Sequence, residues 1–355
     1  VQATGGDFAA FSIEVEHQAL QVIHSHDTAR KQADDVIAHE LDELYASVRR
    51  GHLHGVEPKI KQLLQQINQS QQLYRYQSMI HSVYGIYHMK RGDYAAADAE
   101  YHRGLGYARG LERAVILANL GSATFYDGRF ADAQEHYKQS SHLAKRAKAP
   151  LIQAFTTTSM GTVSAERGQY AAAEGFYKDA HKLAQEIQHQ ERLAYVYMNR
   201  GALAYYEGHF ALADRLYVEA LKHAAELDHA ELLSQTNWYL GVLKGSLGDI
   251  KMRQAQFDLA REIAHHDDLI WQVVGTLVEE GRYWLLDHQW DKATEQLLVA
   301  LETATHYFQK DHILRSLVYL SVALAYQSSG NQYVDANHLL TALWQHIPRK
   351  TWNQL

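Results

Sequence analysis

The 355-residue chain has no cysteine and only three prolines, Pro58, Pro150 and Pro348. Without cysteine it forms no disulfides and offers no thiolate ligands to a metal. It contains no run of 18 apolar residues, which excludes an ordinary transmembrane helix. The first residues lack the basic-then-apolar order of a secretory leader. A net charge of −7, from 34 basic and 41 acidic residues, argues against nucleic acid as a direct partner. Motifs that carry chemistry are missing too: no Gly-x-x-x-x-Gly-Lys phosphate cradle, no His-Glu-x-x-His and no Gly-x-Ser-x-Gly. His39-Glu40 comes nearest to the second, but Glu43 stands where the second histidine is needed. The 23 histidines include His24/His26, His52/His54 and His265-His266-Asp267-Asp268, which fall at expected helix ends and turns rather than in a converging ligand set. Asp34/Asp35 and Glu40/Glu43 read as solvated helix faces. The expectation is a protein without catalytic residues, metal or cofactor.

What the chain has instead is repetition. Gly121, Gly161, Gly201, Gly241 and Gly281 are spaced forty residues apart. Seven residues after each come Gly128, Gly168, Gly208, Gly248 and, out of series, His288. Aromatic or bulky residues follow at Phe130, Tyr170, Phe210, Ile250 and Trp290, then Ala133, Ala173, Ala213, Arg253 and Ala293. The last columns are Tyr137, Tyr177, Tyr217, Phe257 and Leu297, and Ser140, Ala180, Ala220, Ala260 and Ala300. Columns in phase at a period of 20–50 residues mark a stacked repeat array.

Each unit reads as two helices. The first ends near the second glycine, which suits a left-handed C-cap. The first glycine lies inside that helix, where it costs about 1 kcal/mol relative to alanine, so close approach of a neighbouring helix must compensate. The second helix starts at the aromatic residue, with Ala and Tyr following on one face.

These columns resemble the tetratricopeptide repeat family, whose small residue, Gly-x-aromatic turn, Ala and second aromatic are met at Gly201, Gly208, Phe210, Ala213, Tyr217 and Ala220. The forty-residue period is similar to the variant in kinesin light chains, Pins-type adaptors and bacterial sensor arrays. The proline that often closes the family's repeat is absent, and the position three after the first glycine is Thr124, Ser164, Ala204 or Lys244, aromatic only at Trp284. The resemblance implies an all-α, right-handed α-solenoid of stacked antiparallel helix pairs, about eight repeats in all. By register the units lie near 28–70, 71–107, 108–146, 147–186, 187–226, 227–266, 267–307 and 308–347, with 348–355 as a tail. Residues 1–27 read as the second helix of a truncated repeat, because Gly6-Asp7-Phe8-Ala9-Ala10 matches Gly92-Asp93-Tyr94-Ala95-Ala96. With an initial Val, this suggests a segment of a longer protein that could carry flanking domains, a processed N-terminus being the alternative.

In the family, the first helices line the concave face. Placed by register, that face offers Asn119, Phe125, Tyr126, Phe155, Tyr195, Asn199, Tyr205, Trp238, Tyr239 and Arg282 as a peptide-binding groove. Ser122 and Thr162 fall on the same stripe. Aromatic residues are enriched at binding surfaces, and the two asparagines suit a bound backbone; packing between helices is the competing role for Phe125, Tyr126 and Tyr205. The resemblance implies a non-catalytic, cytoplasmic module that binds a protein or peptide segment, as the sensor or scaffold part of a larger bacterial regulator. A regulatory array attached to an enzyme, or a dimerisation or spacer scaffold, is the alternative.

Overall fold

The structure, a computed structural model, describes residues 33–49, 52–307 and 309–329. The expectations for 1–27, for 330–347 and for the tail lie outside the described residues. Among the described residues there are fifteen α-helices and no strand. They begin with α1 (Ala33–Arg49) and α2 (Val56–Gln69), followed by a 3-10 turn at Gln71–Tyr76. Then come α3 (Gln77–Lys90) with α4 (Tyr94–Tyr107), α5 (Gly110–Tyr126) with α6 (Phe130–Arg146), and α7 (Pro150–Glu166) with α8 (Tyr170–Glu186). After these are α9 (Gln190–Tyr206) with α10 (Phe210–Glu226), and α11 (Ala230–Ser246) with α12 (Ile250–His266). Last are α13 (Ile270–Leu286), α14 (Trp290–His306) and α15 (Lys310–Ser329). The helices group into two compact units, one ending at Thr236 and the other starting at Asn237.

Inside the first unit, α5 packs against α6, α7 against α8 and α9 against α10, and each first helix also meets the first helix of the next pair. The second unit repeats this with α13, α14 and α15. No candidate membrane span occurs among the described residues, none of their helices being long and apolar enough.

The glycine inside each first helix is a socket. A Cβ on Gly201 would lie 2.6 Å from Cε1 of Tyr217, and on Gly121 or Gly161 it would lie 2.7 or 2.6 Å from the same atom of Tyr137 or Tyr177. Gly241 meets Phe257 and Gly281 meets Leu297 in the same way, each at 2.5 Å. The group compensating the glycine is therefore one side chain from the second helix of its own pair. Around it, Ala133, Ala173, Ala213, Ser140, Ala180 and Ala220 are fully buried, so the second helix approaches on small residues and fills the remaining gap with an aromatic.

The second glycine ends the helix as expected. Gly208 has φ +78°; its N–H donates to the Tyr205 carbonyl at 3.0 Å and His209 N–H to Ala204 at 2.8 Å. This bond pair is the Schellman arrangement. His288 keeps it at φ +57°, with Gln289 N–H on the Trp284 carbonyl at 2.9 Å. The second helices end likewise, but through Lys148, Gln188, Asp228 and Asp268, all at positive φ without being glycine. Such a residue costs roughly 1–2 kcal/mol, offset here by the carbonyls it allows to be capped.

Two glycines distinguish socket from propensity. Gly201→Ala is expected to destabilise by about 1–3 kcal/mol through overpacking against Tyr217. Gly175, in exposed α8 with nothing within 4 Å of a built Cβ, should become more stable as Ala by up to about 1 kcal/mol. Thermal melts giving both substitutions the same sign would contradict the socket.

Candidate functional site

The residues expected in the groove come from the first helices, and most are sealed within them. Asn119, Phe155, Tyr195 and Asn199 are at most 2 % exposed. Phe125 is buried as well, and its ring lies edge-on to Tyr126. Asn199 Nδ2 donates to the Tyr195 carbonyl of its own helix at 2.8 Å, a back-bond to the preceding turn. Asn119 Nδ2 reaches Ser82 Oγ at 3.5 Å, tying α5 to α3. Phe155 lies edge-on to Tyr137, and Tyr195 carries the Arg192 guanidinium 4.4 Å from its ring centre. Tyr126 stacks on Tyr94 with ring centroids 5.7 Å apart, and Tyr205 leans on Tyr206 and Phe210. Tyr126 and Tyr205 are the half-exposed members in this unit.

Ser122 and Thr162 serve the sockets. Their hydroxyls lie 3.0 Å from Tyr137 Oη and 3.2 Å from Tyr177 Oη. A buried phenol without a partner loses its hydration uncompensated; these short side chains supply the bond. Burial pushes the Tyr137 phenol up to about 12, and bonds from the Ser122 and Ser159 hydroxyls moderate the rise. In the second unit the pattern drops the hydroxyl on both sides: Val242 stands at the Ser122 position and Phe257 at that of Tyr137.

The second unit holds Trp238, Tyr239 and Arg282. Trp238 is half-buried and edge-on to the buried Tyr239, centroids 4.9 Å apart. Arg282 Nε donates to Glu279 Oε1 at 2.6 Å and its guanidinium lies 4.4 Å from the Tyr283 ring centre. Sequence reading missed the arrangement around Arg253, which interrupts the alanine column. That side chain is buried, ion-paired to Asp287 and placed over the Tyr283 and Trp284 rings. A Cβ on Gly245 would meet the Tyr283 ring first and Arg253 Cδ at 2.9 Å, so this further glycine makes room for the ring and for the guanidinium-bearing chain lying over it. The signal was available: Gly245 and Arg253 are both off-pattern, eight residues apart.

Among the described residues no group of three or more His, Cys, Asp or Glu side chains is placed to hold a metal. His39 and Glu43 form an exposed i,i+4 pair at 3.4 Å, and His266 meets Asp267 at 3.2 Å on the surface.

No protein-family model matches the chain, and no curated protein matches it. Solved structures do. A Rap protein complexed with competence and sporulation factor shares 18 % identity over 87 % of this chain and 85 % of its own, with a TM-score of 0.61. NprR in complex with its cognate peptide NprX shares 12 % over 90 % of this chain and 95 % of its own, TM-score 0.59. Aspartyl phosphate phosphatase F from Bacillus subtilis shares 11 % over 94 % and 99 %, TM-score 0.51. At these identities the likeness is one of fold: the chain has a tetratricopeptide-type helical repeat fold.

Packing disfavours the protonated form of four histidines in the first unit. Burial lowers the pKa of His88, His136, His181 and His189; the His102 ring adds to this at His136, and the Arg200 guanidinium and then the His223 ring at His181. A histidine whose folded pKa lies below its unfolded value of about 6.5 contributes stability above that value, lost as pH falls towards the folded pKa. Glu112 and Glu166, raised by burial, act with opposite sign, but from a reference value of 4.5, two units lower. The melting temperature is therefore expected to fall between pH 7 and pH 5, and to fall less in a His136→Gln, His181→Gln double variant. An equal fall in both proteins would show that these histidines do not set the acid sensitivity.

Proposed function

We propose that the chain is a non-catalytic binding module whose first-helix faces hold a segment of a protein or peptide partner. The observation that carries this reading is the fold it shares with two arrays solved as complexes, one with competence and sporulation factor and one with the peptide NprX. The chemistry of the faces supports it. In the first unit, Tyr126 and Tyr205 are half-exposed, Tyr126 lying edge-on to buried Phe125, on first helices that also carry buried Asn119, Phe155, Tyr195 and Asn199. In the second unit, Trp238, Tyr239 and Arg282 offer an aromatic pair and a cation. A segment arriving at the first unit meets Tyr126 and Tyr205 first, and one arriving at the second unit meets Trp238 and Arg282, since these are the accessible side chains in each. On this reading the module is the cytoplasmic sensor or scaffold part of a larger bacterial regulator with flanking domains. It takes neither nucleic acid nor membrane as its direct partner, and needs no cofactor.

Selection from a displayed random-peptide library tests the reading. Removal of a Trp or Tyr anchor typically costs about 2 kcal/mol or more, so Tyr205→Ala should weaken peptides held by the first unit at least tenfold, and Trp238→Ala those held by the second. Lys178→Ala, on exposed α8, should leave them unchanged. Failure to enrich any peptide, or equal binding by all three variants, would contradict a groove on the first helices.

A further inference from the structure

We infer that one end of the α5–α6 pair is a docking surface for a carboxylate-rich segment of a protein partner. The chain has a net charge of −7, yet residues 103–113 and 138–148 carry seven lysines and arginines against the single carboxylate of Glu112. The fold brings the two stretches together. His102 of α4 lies edge-on to His136 of α6 with ring centroids 6.5 Å apart, and Ser140 Oγ donates to the Ala114 carbonyl at 2.5 Å. The end of α4, the start of α5 and the last turn of α6 therefore share one edge of the first unit. Described helices flank it, α3 before and α7 and α8 after. Arg109, Arg113, Lys145, Arg146 and Lys148 are exposed there, and no salt bridge among the described residues includes them. Carbonyls at the end of α4 hold the two arginines: Arg109 Nη1 donates to Ala108 at 2.8 Å and Arg113 Nη1 to Leu105 at 3.0 Å. Glu112 accepts instead from Ser78 Oγ of α3 at 3.0 Å. Beside the arginines stands Tyr107, 49 % exposed, its ring stacked on His81 at 5.9 Å.

The repeat itself does not require these cations. A cation in the last turn of a helix suits its dipole, but the equivalent ends of α8 and α10 are built without one. Arg146 gives way to Glu186 and Glu226, and Lys148 to Gln188 and Asp228, with the positive-φ cap kept at both. Arg113 gives way to Gln153 and Leu193. The occupant follows from charge complementarity. Guanidinium groups pair carboxylates bidentately, and Tyr and Arg are enriched at binding hot spots. A run of Asp and Glu with an apolar side chain for Tyr107 matches this edge. Neither terminal stretch of the chain is such a run: 1–32 has four scattered acidic residues, and 330–355 has only Asp335. A nucleic acid would meet the acidic excess of the remaining chain beyond the edge.

The probe is a fluorescein-labelled oligo-glutamate carrying one tryptophan, followed by anisotropy at low salt, where screening is weak. Wild type should bind it with a Kd below about 100 μM. Arg146→Glu combined with Lys148→Asp, residues that a neighbouring repeat already holds at these positions, should weaken binding at least tenfold with unchanged helicity. Lys222→Glu, exposed on α10, should not, and neither should Tyr205→Ala, which separates this edge from the first-helix faces. Tyr107→Ala should weaken the tryptophan-bearing probe but not plain oligo-glutamate. No binding by wild type would overturn the inference, as would an equal loss in Lys222→Glu. Tighter binding of duplex DNA or of phosphatidylserine vesicles than of the peptide would also overturn it, by assigning the edge to a polyanion of another class.

Discussion

A single contact recurs through this molecule and constrains the rest: one large side chain from each second helix seated on a glycine of its own first helix. Tyr101 on Gly85, Tyr137 on Gly121, Tyr177 on Gly161 and Tyr217 on Gly201 are the same contact made four times. Each glycine is unfavourable in isolation, by about 1 kcal/mol. Each buried aromatic more than offsets that, since burying such a side chain is worth about 1.5–3 kcal/mol. The socket sets how closely the two helices of a pair approach, and hence which residues of the first helix are left for the next pair. The hydroxyls of Ser122 and Thr162 belong to this contact.

Much of the fold was legible because it repeats. A glycine at a fixed distance before another glycine, an aromatic and an alanine specifies a helix, a left-handed cap and a second helix, and the structure has each of these. His288 was visible as a break in the glycine series; that it still adopts positive φ was not, because local sequence does not forbid αL to a polar residue. Nor were Lys148, Gln188, Asp228 and Asp268 legible as caps, since four different side chains share one backbone conformation. The groove was less legible. Register placed Asn119, Phe155, Tyr195 and Asn199 on the first helices, but a helix pattern apolar nearly all round does not reveal which side is sealed. α5 and α7 are buried along almost their whole length, so exposure there depends on long-range packing that periodicity does not encode.

Departures from the repeat are where the second unit becomes individual. Arg253 enters an alanine column and brings Gly245 and Asp287 with it. Glu280, buried and raised by that burial, gathers Arg261, Gln254 and Gln296. A buried ionic group costs several kcal/mol to desolvate and repays it only when fully paired. These clusters are therefore better suited to fixing the register of α12, α13 and α14 than to adding stability. The binding reading draws on what the sockets leave over, the half-exposed aromatics of the first helices.

The socket is tested most directly by a double-mutant cycle between Gly201 and Tyr217. If the ring is what forbids a Cβ at 201, Gly201→Ala should destabilise the wild-type background. In a Tyr217→Ala background it should be neutral or stabilising, with a coupling of at least about 1 kcal/mol between the sites. Additive effects, within about half a kcal/mol, would contradict the account, because the glycine column would then be answering to something other than the aromatic seated on it.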